Sequence, residues 1–235
     1  SESALAQWRG LCQGRDVNAL MTAGQLINWG MPALAADMLN ALDCQHTLPL
    51  YLQASLLPKA ERGELVAKAI DAFPQFVRFP NTLEEVAALE SIEECWFARH
   101  LLACFYYNKR SYNKAIALWQ RCVEMSPEFA DGWRGLAIHA WNKQHDYELA
   151  ARYLDNAYQL APQDARLLFE RDLLDKLSGA TPEKRLARLE DNLEIALKRD
   201  DMTAELLNLW HLTGQADKAA DILATRKFHP WEGGE

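Results

Sequence analysis

The 235-residue chain has no apolar run approaching the roughly 20 residues that a spanning helix needs, which excludes a membrane-inserted helix as its working part. It has no basic tract either. Lys and Arg total 25 against 33 Asp and Glu, for a net charge of −8. Nucleic-acid binders cluster Lys and Arg on one face, so that class of partner is set aside. Cysteine is sparse and carries no framework. Cys12, Cys44, Cys95, Cys104 and Cys122 are odd in number and form no CxxC pair. They are expected as buried or semi-buried free thiols in a reducing compartment. Ser1-Glu2-Ser3 lacks the positive region and following apolar stretch of a signal peptide, and the expected location is cytoplasmic. Alternation of period two is nearly missing, so few or no strands are expected.

What is there is a repeat. Cys95–Pro127 and Gly132–Pro162 overlay as helix, tight turn, helix. Leu102, Ala103 and Tyr106 precede Tyr112, Ala115, Trp119, Cys122 and Pro127 in the first copy. Trp133, Leu136, Ala137 and Ala140 precede Tyr147, Ala150, Leu154, Ala157 and Pro162 in the second. The small residues, Ala103 with Ala115 and Ala137 with Ala150, let two antiparallel helices approach closely, because a packed interior has no spare volume. Trp119 and Leu154 fill the seam towards the next hairpin. Pro127 and Pro162 end their helices and are 35 residues apart. The second copy is one residue longer in the turn Asn142-Lys143-Gln144-His145-Asp146-Tyr147.

The rest of the chain carries looser versions of the same pattern. Leu20, Ala23, Leu26 and Ile27 form one apolar face, residues 28–32 a turn, and Ala35, Met38, Leu39 and Leu42 a second face. Pro32 suits the first turn of that second helix. Leu48–Leu57 and Glu61–Phe73 read as a helix pair around Pro58, and residues 73–80 as an extended connector whose aromatic side chains pack onto the helices. Thr82 and Glu85 fit a capping box. Ala165–Leu177 reads as a helix, and a helix capped by Thr181 with Pro182 at its first position is expected to run to about Arg199. Leu206, Leu209 and Trp210, then Ala219, Ala220 and Leu223, make a last hairpin around residues 213–215. The reading divides the chain into degenerate hairpins and connector at 1–80, regular repeats at 81–230, and a tail at 231–235. The ending in Trp231-Glu232-Gly233-Gly234-Glu235 reads as a segment of something larger.

The period is close to the roughly 34 residues of tetratricopeptide repeats, and residues 95–162, with 202–225 less closely, resemble that family. The implied fold is all-α, a right-handed α-solenoid of tetratricopeptide-like hairpins whose stacked units share one apolar seam. Three further pieces resemble the large bacterial proteins of YphG type. They are Val77-Arg78-Phe79-Pro80 ahead of Glu84, Val86 and Ala87, then Trp96-Phe97 with Phe105-Tyr106-Tyr107, and the tail from Lys227 to Glu235. That resemblance implies a helical-repeat segment downstream of carbohydrate-related, β-rich domains. It carries over no catalytic residue.

Tetratricopeptide arrays bind peptides along the face formed by their first helices. By repeat register that face would hold Phe97, His100, Cys104, Tyr107 and Asn108, then Arg134, Ile138, Trp141 and Asn142. This aromatic and polar mix suits an extended segment or a helix laid in a groove. The alternative is that Tyr107 and Trp141 pack between neighbouring hairpins. The family's carboxylate clamp is not recognisable, since its positions hold His100, Cys104, Arg134 and Ile138. His100 and Cys104 share a helix face and could make a reactive thiolate, but no third orienting group accompanies them. No His or Cys cluster has metal-ligand spacing, and no carboxylate pair is singled out for glycoside chemistry. Glu84, Glu85, Glu90, Glu93 and Glu94 read as a solvated acidic face. The expected function is therefore non-catalytic and cofactor-free. It is a scaffold for a protein, a peptide or another domain of the same polypeptide. The alternatives are a spacer or self-association module, including a homodimer, and an accessory region of a larger carbohydrate-active enzyme.

Overall fold

The computed structural model describes residues 2–73 and 78–229. The connector's 74–77 and the tail's 230–235 lie outside the described residues, and so do the expectations placed on them. Every regular element among the described residues is helical. The chain forms two compact units, 1–127 and 128–235.

The first unit contains α1 (Glu2–Cys12), α2 (Asp16–Asn28), α3 (Pro32–Leu42), α4 (Thr47–Ser55), α5 (Gly63–Asp71), α6 (Leu83–Glu90), α7 (Trp96–Asn108) and α8 (Tyr112–Met125). The helix α4 is its centre. Every residue from Thr47 to Ala54 is buried, as expected for a helix that is apolar all round rather than along one stripe. Its mates in the hairpins carry the polar faces. Asp16, at the start of α2, accepts from the backbone N–H of Gln45 and His46, both at 2.6 Å, and so ties α2 to the entry of α4. Arg62 ties the other end. Its guanidinium donates to the carbonyls of Ser55, Leu57 and Ser91, satisfying helix-terminal carbonyls of α4 and α6 that have no intrahelical partner. The helix pair expected around Pro58 is present, with a short 3₁₀ turn at Lys59–Glu61 between α4 and α5.

The α7/α8 hairpin follows the repeat logic. Ala103 and Ala115 are wholly buried where the two helices meet, with Trp119 and Cys122 filling the seam. Arg110 takes a left-handed conformation (φ 62°), and Ser111 N–H reaches the Tyr106 carbonyl at 2.8 Å. This is the helix-ending turn that normally selects glycine. The helix α8 stops at Met125, and Ser126 is extended ahead of Pro127 because the proline ring disfavours the helical region there.

The second unit contains α9 (Ala130–His139), α10 (Tyr147–Leu160), α11 (Ala165–Leu177), α12 (Pro182–Asp191), α13 (Leu193–Ala196), α14 (Asp200–Leu212) and α15 (Ala216–Thr225). The extra turn residue is absorbed at the end of α9. Ala140–Gln144 widens into a π turn, Asp146 N–H bonds to the Ala140 carbonyl at 3.0 Å, and His145 supplies the left-handed residue. One core gathers Ala137, Ala140, Ala150, Leu154, Ala157, Leu167 and Leu174. A second gathers Leu168, Leu186, Leu189, Met202, Leu206, Leu209 and Trp210.

One expectation is corrected. The helix beginning at Pro182 does not run to Arg199 but stops at Asp191. Asn192 leaves helical geometry (φ −124°, ψ 33°) because its side chain is held elsewhere. The Tyr158 hydroxyl of α10 donates to its Oδ1 at 2.5 Å, and its amide donates back to the Arg188 carbonyl at 2.9 Å. An Asn whose side chain bonds the carbonyl four residues back and a tyrosine of another helix competes with the next helical turn and ends the helix.

Candidate functional site

The helix α7 carries the first five residues of the expected groove, and their exposure rises along it. Phe97 has no exposed surface. Its ring lies 4.8 Å from that of Phe73 and 5.5 Å from Trp96, and stacks on His100 at 6.1 Å with planes 8° apart. Phe97 thus builds the wall and offers nothing to a ligand. His100 is buried, one turn on. Tyr107 is half-buried and turned into its own hairpin, with its ring 5.1 Å from Tyr112 and 5.4 Å from Trp119.

Cys104 and Asn108 do meet. They line an open cleft of about 430 Å³ together with Phe105, Lys109 and the connector residues Phe79, Pro80 and Asn81. The geometry is set by two local causes. The four-residue spacing of Cys104 and Asn108 puts them on one helix face. Opposite them, Pro80 is buried and keeps the backbone extended while Phe79 stays half exposed, at 51%. The Glu85 carboxylate beneath the connector then accepts from Asn81 N–H at 2.5 Å and Thr82 N–H at 3.2 Å, while Thr82 Oγ1 accepts from Glu85 N–H. That reciprocal cap locks the connector to the start of α6. Lys109 lies 5.6 Å over the Phe105 ring, so the mouth of the cleft carries a cation on an aromatic floor. Phe105, Lys109 and the three connector residues were missed as site residues. The aromatic run around residue 105 and the residues at 79–81 are visible in the sequence, but nothing in it says that they face each other.

Arg134, Ile138, Trp141 and Asn142 belong to the other compact unit and are placed within it. Arg134 on α9 grips Glu170 on α11 with both arms, Nε to Oε2 at 2.8 Å and Nη2 to Oε1 at 2.5 Å. Burial alone would lower the basicity of this guanidinium. Glu170, with Asp131 and Asp164, outweighs that and raises it. The next pair on the same two helices is Arg166 with Asp131, at 2.9 Å. Successive first helices are therefore cross-linked by charge. Trp141 packs against the core around Ala137 and Ala140, Ile138 is half-buried and Asn142 is exposed.

Behind α11 lies a charge cluster that sequence reading did not single out. Arg185 holds Asp172 (2.6 Å) and Glu205 (2.6 Å), and Lys176 also reaches Glu205 (2.9 Å). Arg171 bonds Asp155 at 2.7 Å and Asp175, and Arg188 reaches Asp175 at 3.2 Å. Charge alternation along residues 183–201, taken by itself, reads as a solvated outer face. The cluster is completed by α10 and α14, which are remote in sequence.

No protein-family model matches the chain. Among solved structures it is similar to YrrB, described as a TPR protein with an unusual peptide-binding site. That match has 18% identity and a TM-score of 0.45 over 77% of this chain and 84% of that one. It is similar to MamA at 16% identity and TM-score 0.48, over 76% and 88% of the two chains. It is similar to the TPR domain of P58(IPK) at 16% identity and TM-score 0.46, over 94% and 63%. These likenesses concern helical-repeat architecture and carry nothing about ligand or partner.

Proposed function

We propose that the chain is a non-catalytic scaffold of tetratricopeptide type that receives a peptide, or an extended segment of a protein or of its own polypeptide, in the cleft between α7 and the connector. One observation carries this reading. Phe79 and Phe105 supply apolar surface, Asn81 and Asn108 add side-chain amides to the lining, and Lys109 lies over the Phe105 ring. A cleft with aromatic walls and a few placed amides suits a peptide main chain, whose N–H and C=O groups need partners once desolvated. The resemblance to YphG-type proteins supports a neighbouring domain as the natural source of that segment. The test is selection of peptides on the full chain, then calorimetric titration. A selected peptide should bind about tenfold more weakly to Phe79→Ala and Asn108→Ala. Binding unchanged in both would refute the cleft.

A second reading is self-association, favoured by the α2–α3 turn, where Trp29, Met31 and Leu34 are exposed together. Sedimentation across a dilution series decides it, with Trp29→Asp abolishing any dimer that depends on this turn.

A further inference from the structure

We propose that the segment received by the cleft between α7 and the connector is acidic, with an apolar anchor flanked by aspartate or glutamate side chains. The inference rests on the cleft assigned above and adds the charge of its ligand. Charge complementarity carries it. The described residues lining the cleft include the Lys109 ammonium and no carboxylate, in a chain whose net charge is −8. Arg78 precedes the lining residue Phe79, and Arg110 follows Lys109, so three cations border the opening. The Lys and Arg side chains that form ion pairs in the first unit are Lys59, Lys68 and Arg121. Among the described residues, none of the three bordering cations forms one. The second unit is the contrast, where Arg134, Arg171 and Arg185 each hold a carboxylate.

The acids nearest in sequence to the connector, Glu84 and Glu85, have donors of their own. Asn28 Nδ2 donates to Glu84 at 2.6 Å, and the backbone N–H groups of Asn81 and Thr82 donate to Glu85. Unpaired cations beside an apolar cleft without carboxylates make a local positive field. Such a field speeds the encounter with an acidic segment and fixes its register.

The same contacts select side-chain carboxylates over a terminal one. A chain terminus is captured by a nest of free backbone donors. Here the N–H groups of Asn81 and Thr82 are already given to Glu85. Acidic side chains need only a cation within reach. Phe79, 51% exposed, and Phe105 receive the anchor. The Lys109 ammonium lies 5.6 Å over the Phe105 ring, so a carboxylate next to the anchor in the ligand meets it there.

A random peptide library displayed on phage is selected on the full chain. A selected peptide is then compared with its Asn/Gln counterpart, its C-terminally amidated form and polyglutamate, by association and dissociation kinetics. Selected peptides should combine an aromatic or aliphatic residue with Asp or Glu, and amidation should change nothing. The neutral counterpart should associate about tenfold more slowly at about 0.05 M salt, with the gap closing by about 0.3 M. Lys109→Gln/Arg110→Gln, at two exposed positions, should slow the acidic peptide towards the neutral one and leave the neutral one unchanged. Phe79→Ala should weaken both peptides. Peptides lost with Phe79→Ala but indifferent to their own carboxylates, or to Lys109→Gln/Arg110→Gln, overturn the acidic preference and leave the cleft standing. An empty selection, or peptides unaffected by Phe79→Ala, overturns the cleft and this inference with it. Polyglutamate binding as tightly as the selected peptides overturns the apolar anchor. Loss of binding on amidation overturns the choice of side-chain carboxylates.

Discussion

Arg185 of α12 and Asp172 of α11 form a two-pronged ion pair inside the second unit, Nε to Oδ1 at 3.1 Å and Nη2 to Oδ2 at 2.6 Å, with side chains only 6% and 3% exposed. Burial pushes the Asp172 carboxyl above its ordinary range even though Arg185 opposes this. Desolvation thus wins on the acid's side of the pair. Such a pair specifies how α11 and α12 sit together more than it stabilises them.

Breaking the pair on one side should be costly. Arg185→Met leaves Asp172 buried without its main partner and should lower stability by about 3–5 kcal/mol. The double variant Arg185→Met/Asp172→Leu should recover most of that loss. Urea unfolding of the three proteins measures both effects. A single variant as stable as the parent would show that the pair is hydrated in solution.

The Asp200 carboxylate holds the end of the described chain. It accepts from the backbone N–H of His229 at 2.5 Å and from Arg226 Nε and Nη2 at 2.8 and 2.6 Å. These contacts, the His229 N–H first, outweigh burial and hold its pKa below the ordinary value. A depressed folded pKa gives stability that is complete above the unfolded value of about 3.9 and lost as pH falls through the folded one. Hydrogen exchange of residues 226–229 should therefore stay slow to about pH 4 and accelerate below it. Asp200→Asn should show the faster exchange already at neutral pH.

Thr82 caps α6 and holds the connector. Thr82→Ala should cost about 1 kcal/mol, while Thr82→Ser should cost only tenths. The same variant should also weaken any ligand of the cleft, since Asn81 is positioned through Glu85. Chemical denaturation and peptide titration on one preparation separate the two effects.

Tyr107→Ala should act as a packing mutation. Its ring fills space between Tyr112 and Trp119, and its loss should cost about 2–3 kcal/mol in stability. Peptide affinity at temperatures where the variant remains folded should change little. A selective loss of binding with stability unchanged would return Tyr107 to the ligand-facing surface.

Local rules made much of the helical framework legible. The turns at residues 28–32 and 126–127, the Thr82–Glu85 cap and the start at Pro182 depend on residues within four positions of one another, and each is where the pattern put it. The small-residue positions Ala103, Ala115, Ala137 and Ala150 are all buried at helix crossings, because no larger side chain lets those backbones approach. The extra turn residue was legible as a length, and the structure shows its form, a π turn closed by His145.

What the sequence by itself determined, then, is where many of the helices start and which small and bulky positions pack at the hairpin seams, since both follow from periodicity of 3.6 and from capping chemistry. Only the tertiary structure decided which side chains share a space. Tyr158 reaching Asn192 ended a helix that the local pattern would have continued. Phe79, 25 residues before Cys104, lines with it a cleft, whereas repeat register had placed the groove on the first helices of two successive repeats. Tyr107, on the expected face, was drawn into its hairpin by Tyr112 and Trp119. These outcomes depend on contacts between elements, whose energies are set by shape and partner rather than by spacing along the chain.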